Sequence, residues 1–448
     1  MKLSTPPPKK PTLNFVVEGG TKLKGSIKVN GSKNSAMGIL CASLLNKGTT
    51  TLYNVPRIEE VNRILEVFES IGVKLNWLDE STLKLKRPTK LNLKNMNKES
   101  ATRTRSVIML TGALIFQEKE FLIPYAGGCK LGKRTISPHL SMLEHFGAKI
   151  TVEPKNYKVS LHGSKIDKRI ILQERGDTVT ENALIAAALS NTDVEIRFGT
   201  SNYMVTDTAK FLQKLGVKIS GINTTTYKVS GLKSMNKDIS YRIMEDPIEA
   251  VSFITAAIIT KSKITIQRCP LDYIEFELER LREMGLIFNI KKTYFSEEGI
   301  ELIDLEVLGA SKLRPVKDHK IECQPFPHLN ADSLPFFALI CTQASGRTLI
   351  HDWMYENRAI YLTELSKLGA NIELVDTHRV FVSGPTKFES ADITSPPALR
   401  PAVLLLFAMM AAPKKQISIL RNVYSIARGY EDFANRLNSI GAKIEVVN

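Results

Sequence analysis

Six glycines set the architecture of this chain. They occur in Ser70-Ile71-Gly72-Val73-Lys74, Phe146-Gly147-Ala148-Lys149-Ile150, Leu215-Gly216-Val217-Lys218-Ile219, Met284-Gly285-Leu286-Ile287, Leu368-Gly369-Ala370-Asn371-Ile372 and Ile440-Gly441-Ala442-Lys443-Ile444. Each follows a stretch with apolar residues at helical spacing, such as Val61, Ile64, Leu65 and Phe68, and each precedes alternating apolar residues. A helix that stops and turns into a strand needs a residue comfortable at positive φ, and glycine has no Cβ to clash there. After the glycine the pattern reads as a hairpin: Lys149 to Val152, a turn at Pro154-Lys155-Asn156, then Tyr157 to Leu161. Before each amphipathic helix stand an apolar helix and a short β-rich run. The repeats are about 70–85 residues long, too long for solenoid units, so each copy reads as a small α/β subdomain.

Six such units divide most naturally into two domains of three. We expect an α/β protein with repeats 1–3 in residues 33–244 and repeats 4–6 in residues 245–448. The longest apolar stretch, Pro401 to Pro413, is too short to cross a bilayer and reads as a buried helix. Met1 to Pro11 is rich in Pro and Lys and lacks the apolar core of a signal peptide, so a disordered start and a cytoplasmic chain are expected. The five cysteines, Cys41, Cys129, Cys269, Cys323 and Cys341, are dispersed and form no CxxC. That spacing speaks for a reducing compartment and against a metal site. The net charge of +15 fits a nucleic-acid binder, an enzyme for polyanionic small molecules, or simply Lys-rich solvated faces. The basic residues are spread and form no nucleic-acid module, so neither nucleic acid nor membrane is an expected partner.

Polar and charged residues recur where each apolar helix begins: Gly31-Ser32-Lys33-Asn34-Ser35, Thr102-Arg103-Thr104-Arg105-Ser106, Arg175-Gly176-Asp177-Thr178, Glu245-Asp246-Pro247-Ile248-Glu249, Asn330-Ala331-Asp332-Ser333 and Leu399-Arg400-Pro401. Helix capping accounts for Asp246 before Pro247 and for Asp332 with Ser333. It does not account for Lys33, Arg105 or Arg400, because cations oppose the helix dipole at that end. A bound anion among them would resolve the conflict, and two triplets of such ends facing each other would make an anion-collecting cleft. A second unusual segment, Pro124 to Thr135, holds three glycines, three cations and Cys129. Nearby cations stabilise a thiolate, so Cys129 reads as the reactive thiol, or else as an incidental residue of a surface loop.

These residues resemble the enolpyruvyl transferases, along nearly the whole chain from about Phe15 to Val447. The most specific matches are Gly31-Ser32-Lys33-Asn34, Gly127-Gly128-Cys129 with Gly132 and Arg134, Glu356-Asn357-Arg358, and Arg428-Gly429-Tyr430-Glu431. The Gly-Gly-Cys segment favours the branch that acts on a UDP-sugar over the branch that makes 5-enolpyruvylshikimate 3-phosphate.

The resemblance implies an EPSP synthase-like fold, with two inside-out α/β barrel domains each built from three βαβαββ-type repeats. It also implies two crossings between them, so that residues 1–32 are a disordered start plus a strand belonging with the C-terminal half. The implied reaction transfers the enolpyruvyl group of phosphoenolpyruvate to a hydroxyl of UDP-N-acetylglucosamine or another nucleotide acceptor, releases phosphate and needs no metal or organic cofactor. In the UDP-sugar branch this is the first committed step of peptidoglycan synthesis. Lys33, Arg134 and Arg428 are then the cations for phosphoenolpyruvate. Arg105, Arg358, Arg400 and Asp246 are further cleft residues, and Asn34 is a sugar contact. Cys129 is the thiol of the lid and Asp332 the carboxylate beside the attacking hydroxyl. A monomer or weak homo-oligomer is expected.

Several positions depart from the family pattern. Ser137 stands where an acidic residue reads the uracil, and Gln173 and Glu174 stand for a Lys and Ser that hold the UDP moiety. Asn202 and Met204 stand for two cleft glutamates, and Ala398 and Ala427 for aspartates. Three readings stay open: a divergent UDP-sugar enzyme, a transferase with another acceptor, and a catalytically silent binding protein. Retention of Lys33, Cys129, Arg134, Asp332 and Arg428 argues against the last.

Overall fold

The computed structural model describes residues 13–125, 135–161, 165–309 and 312–448. All six register glycines adopt left-handed backbone, with φ from +84° at Gly147 to +107° at Gly441. At Gly72 a Cβ would meet no more than Pro88, at 3.4 Å, so the need for glycine there is conformational rather than steric.

Five of the six sheets share one strand order. A short leading strand pairs in parallel with the strand after the apolar helix, and two antiparallel strands follow. In the third repeat these are Arg169–Ile171, Asp193–Arg197, Thr226–Ser230 and Lys218–Ser220. The second repeat has three strands among the described residues, Glu120–Pro124, Asn156–Leu161 and Ala148–Val152.

Two leading strands are exchanged between the halves of the chain. Ser26–Lys28 pairs with Ile264–Pro270, and Ile239–Arg242 pairs with Thr49–Tyr53. The sixth sheet is completed from the other end of the sequence, because Asn14–Glu18 lies between Ile417–Arg421 and Ile444–Val447. The two crossing segments bond to each other: Ser32 N donates to Met244 O at 2.8 Å, and Asp246 N to Asn30 O at 2.9 Å.

The apolar helices form the interior and the sheets wrap around them. Helices Pro247–Ile259, Leu334–Cys341 and Leu399–Met410 pack on one another, and Lys33–Ser43, Leu110–Leu114 and Asp177–Ala188 do the same. Every residue of Pro247–Ile259 and of Leu334–Cys341 is buried. A helix apolar on all sides belongs inside, where each large side chain contributes about 1.5–3 kcal/mol. The core accordingly falls into two clusters, one built mainly from residues 36–244 and one from residues 15–29 and 248–444.

The second repeat departs from the expected single apolar helix. Lys98–Arg103 ends at Thr104, which is extended, and the chain resumes as a 3-10 turn Arg105–Met109 and then Leu110–Leu114. The interruption allows close packing: a Cβ on Gly112 would lie 2.4 Å from Asn182 Oδ1. Among the described residues no helix is long and apolar enough to cross a membrane.

Candidate active site

The starts of the inner helices meet at a cavity of about 220 Å³ between the two clusters. Of the residues singled out by the sequence, Lys33, Asn34, Asp332, Arg358, Arg400 and Arg428 line it. Cys129 and Arg134 lie outside the described residues.

Lys33 is the first residue of its helix, which Ser32 caps by accepting from Ser35 N at 3.2 Å. Burial, and then the neighbouring Arg400 and Arg428, lower the pKa of its ammonium, against the pull of Glu60 and Asp332. A buried lysine among arginines favours an incoming anion, which relieves the repulsion. Asn34 Nδ2 donates to Tyr203 OH at 2.8 Å.

At the start of the next inner helix Ser333 makes no side-chain capping bond, and beside it stands Asp332. Its carboxylate lies 3.6 Å from Arg358 Nη1 and 3.3 Å from Arg400 Nη2. Arg358 is anchored in turn: Nε donates to Asp352, and Nη2 to Ala331 O at 2.6 Å. Arg358 and Asp352 are each 2% exposed, and breaking such a buried pair by removing one partner typically costs about 3–5 kcal/mol. Arg400 Nη1 donates to Tyr430 OH at 2.7 Å. Burial works against the Arg400 charge, but Tyr430, Asp332 and Asp246 outweigh it and hold its pKa above the ordinary value. Arg428 pairs with Glu60, joining the sixth repeat to the first across the cavity.

Two expected site residues are not among the described residues that line this cavity. Asp246 is a cap: Oδ1 accepts from Ile248 N at 2.8 Å and Glu249 N at 3.2 Å, while Oδ2 accepts from Lys33 N at 3.3 Å. It fixes two helix starts at the crossing without lining the cavity. Arg105 is also absent from the wall, and its Nη2 donates to Thr135 O at 3.2 Å. The broken helix of the second repeat turns it toward the segment before Ser137–His145.

The sequence reading did not mark Glu60 or Glu181 as site residues. Glu181 is 1% exposed, lies in the helix Asp177–Ala188, and accepts from Thr208 Oγ1 at 3.0 Å. Burial, then Asp177 and Asp207, raise its pKa well above the carboxylate range. Flanked by Thr180 and Asn182, it gave no local signal in the sequence. Asp177 Oδ1 accepts from Thr200 Oγ1 at 2.7 Å and Oδ2 from Asn202 Nδ2 at 3.1 Å. Asn202 therefore holds the Asp177 carboxylate in place. Met204 and Ala398 line the cavity, and Gln173 and Glu174 are exposed.

The arrangement gathers Lys33, Arg358, Arg400 and Arg428 around Asp332, with Glu60, Asp177 and Glu181 also in the wall. The family described as EPSP synthase (3-phosphoshikimate 1-carboxyvinyltransferase) matches residues 17–437. The chain belongs to that family. It is an enolpyruvyl transferase by family, with the fold of two inside-out α/β barrels. It is 32% identical to the UDP-N-acetylglucosamine 1-carboxyvinyltransferase of Bradyrhizobium diazoefficiens, over 97% of this chain and 98% of that one. The protein of the same name from Treponema denticola is 31% identical over 96% and 99%. The crystal structure of the enolpyruvyl transferase NikO from Streptomyces tendae superposes with a TM-score of 0.84 at 22% identity, covering 97% of this chain and 99% of that one. EPSP synthase from Acinetobacter baumannii gives 0.74 at 17%, covering 98% and 100%.

Proposed function

We propose that this enzyme transfers the enolpyruvyl group of phosphoenolpyruvate to a hydroxyl of UDP-N-acetylglucosamine and releases phosphate. The observation that carries the reading is the cavity where Lys33, Arg400 and Arg428 surround Asp332, in a chain matched end to end by relatives bearing that name. Lys33 and Arg428, with Arg134, neutralise the phosphate and carboxylate of phosphoenolpyruvate. Protonation of the methylene carbon, with Cys129 as donor, makes the neighbouring carbon oxocarbenium-like. The acceptor hydroxyl attacks that carbon while Asp332 takes its proton. Loss of a methyl proton then restores the double bond and expels phosphate among fixed cations. The test is phosphate release with phosphoenolpyruvate and a panel of acceptors. Rapid turnover of UDP-N-acetylglucosamine is expected. No turnover of it, with another nucleotide accepted, would overturn the acceptor assignment, and no turnover with any acceptor would overturn the enzyme reading.

The same reading makes residues 33–244 and 245–448 two domains that close on ligand, with residues 14–32 part of the second. Support comes from the exchanged strands and from a cavity whose walls come from both halves. Solution scattering is expected to show compaction when both substrates are added. An unchanged radius at confirmed saturation would count against closure.

A further inference from the structure

Helix Ser137–His145 buries a histidine, His139, which is 3% exposed. Its ring meets helix Asp177–Ala188 at two points. Nδ1 lies 3.1 Å from Asn182 Nδ2, and Nε2 lies 3.3 Å from Thr178 Oγ1.

The surrounding bonds decide which nitrogen carries the proton. Asn182 Oδ1 accepts from Gly112 N at 2.9 Å, so the amide oxygen faces Gly112 and the NH2 faces the imidazole. The same NH2 lies 3.0 Å from Thr111 Oγ1, whose own hydrogen goes to Ile108 O at 2.6 Å. A backbone N–H can only donate, so this amide cannot be reversed without setting donor against donor at Gly112. His139 Nδ1 is therefore the acceptor, and in a neutral ring the proton is on Nε2. Burial, then the charge of Arg105, keep the ring neutral and push its pKa down to about 3. Nε2–H thus donates to Thr178 Oγ1, and the Thr178 hydroxyl keeps its own hydrogen to give.

Thr178 lines the cavity beside Asp177 and Glu181. Asp177 and Glu181 offer a dianion no cation at this wall, whereas Lys33, Arg400 and Arg428 supply the positive charge elsewhere in the cavity. We propose that His139 is a positioning residue that fixes Thr178 as a hydrogen-bond donor to a carbonyl or singly charged phosphate oxygen of the acceptor substrate. The proposal rests on the transferase reading above. It also gives the helix after the Cys129 segment a direct hold on acceptor binding.

The first test is nitrogen-15 NMR of the histidine-labelled enzyme, which requires no turnover and so stands apart from the transferase assignment. His139 is expected as the Nε2–H tautomer with no titration between pH 5 and 8. The Nδ1–H tautomer, or a midpoint near the ordinary histidine value, would overturn it. The second test is kinetic. Thr178→Val and His139→Gln are each expected to raise the acceptor KM about tenfold and leave the phosphoenolpyruvate KM unchanged, while Thr178→Ser restores it. The double variant is expected to be no worse than Thr178→Val. Additive losses, or equal loss for both substrates, would show that His139 serves packing alone.

Discussion

Asp332→Asn is expected to lose at least about a hundredfold in turnover while both substrates still bind, because an amide can orient the acceptor hydroxyl but cannot take its proton. The geometry makes this substitution unusually informative. Asp332 faces Arg358 and Arg400 at the cavity wall, and asparagine keeps its shape while removing the charge. Its partners Arg358 and Arg400 have further anchors, Asp352 and Ala331 for the first and Tyr430 for the second. An isosteric amide therefore leaves both guanidiniums held in place. Single-turnover kinetics with calorimetry separates the two effects. Near-normal turnover in Asp332→Asn would reduce Asp332 to a structural partner of the two arginines.

Alkylation by an epoxide such as fosfomycin, or by a general thiol reagent under limiting conditions, is expected to label Cys129 before any other cysteine. The four remaining thiols are buried, at no more than 1% exposure. Burial pushes all four up, Cys323 and Cys341 to about 12. A thiol at an unperturbed value near 8.5 holds on the order of a thousandfold more thiolate at neutral pH than one near 12, before access is counted. The cations flanking Cys129 in sequence widen that gap. Peptide mass spectrometry locates the label. Preferential modification of Cys41, Cys269, Cys323 or Cys341 in the folded enzyme would sink the assignment of Cys129 as the reactive thiol.

Much of the fold was legible because its signals are local. A glycine between an amphipathic helix and alternating apolar residues reports a positive φ without reference to the rest of the chain, and all six do so. The site was legible in part for the same reason. Lys33 and Arg400 sit at helix starts where the dipole disfavours cations, so their presence there called for an anion. Asp246 and Asp332 looked alike by this local rule and proved different. One accepts from the backbone of its own helix, and the other faces two guanidiniums from distant repeats. Asp332 and Arg428 received their roles from resemblance to a family rather than from local chemistry.

The sequence by itself determined the sixfold α/β repeat, its division into two triplets and the cluster of cations at helix starts. Helical periodicity, glycine stereochemistry and the helix dipole act over a few residues and are written in consecutive positions. Only the tertiary structure decided which ends meet. It exchanged Ser26–Lys28 and Ile239–Arg242 between the halves, set Glu60 against Arg428, removed Arg105 and Asp246 from the cavity wall, and fixed the tautomer of His139 through Asn182 and Gly112. Those outcomes depend on partners tens to hundreds of residues apart. Burial and hydrogen-bond satisfaction choose such partners only once the helices are packed, and no local pattern encodes that choice.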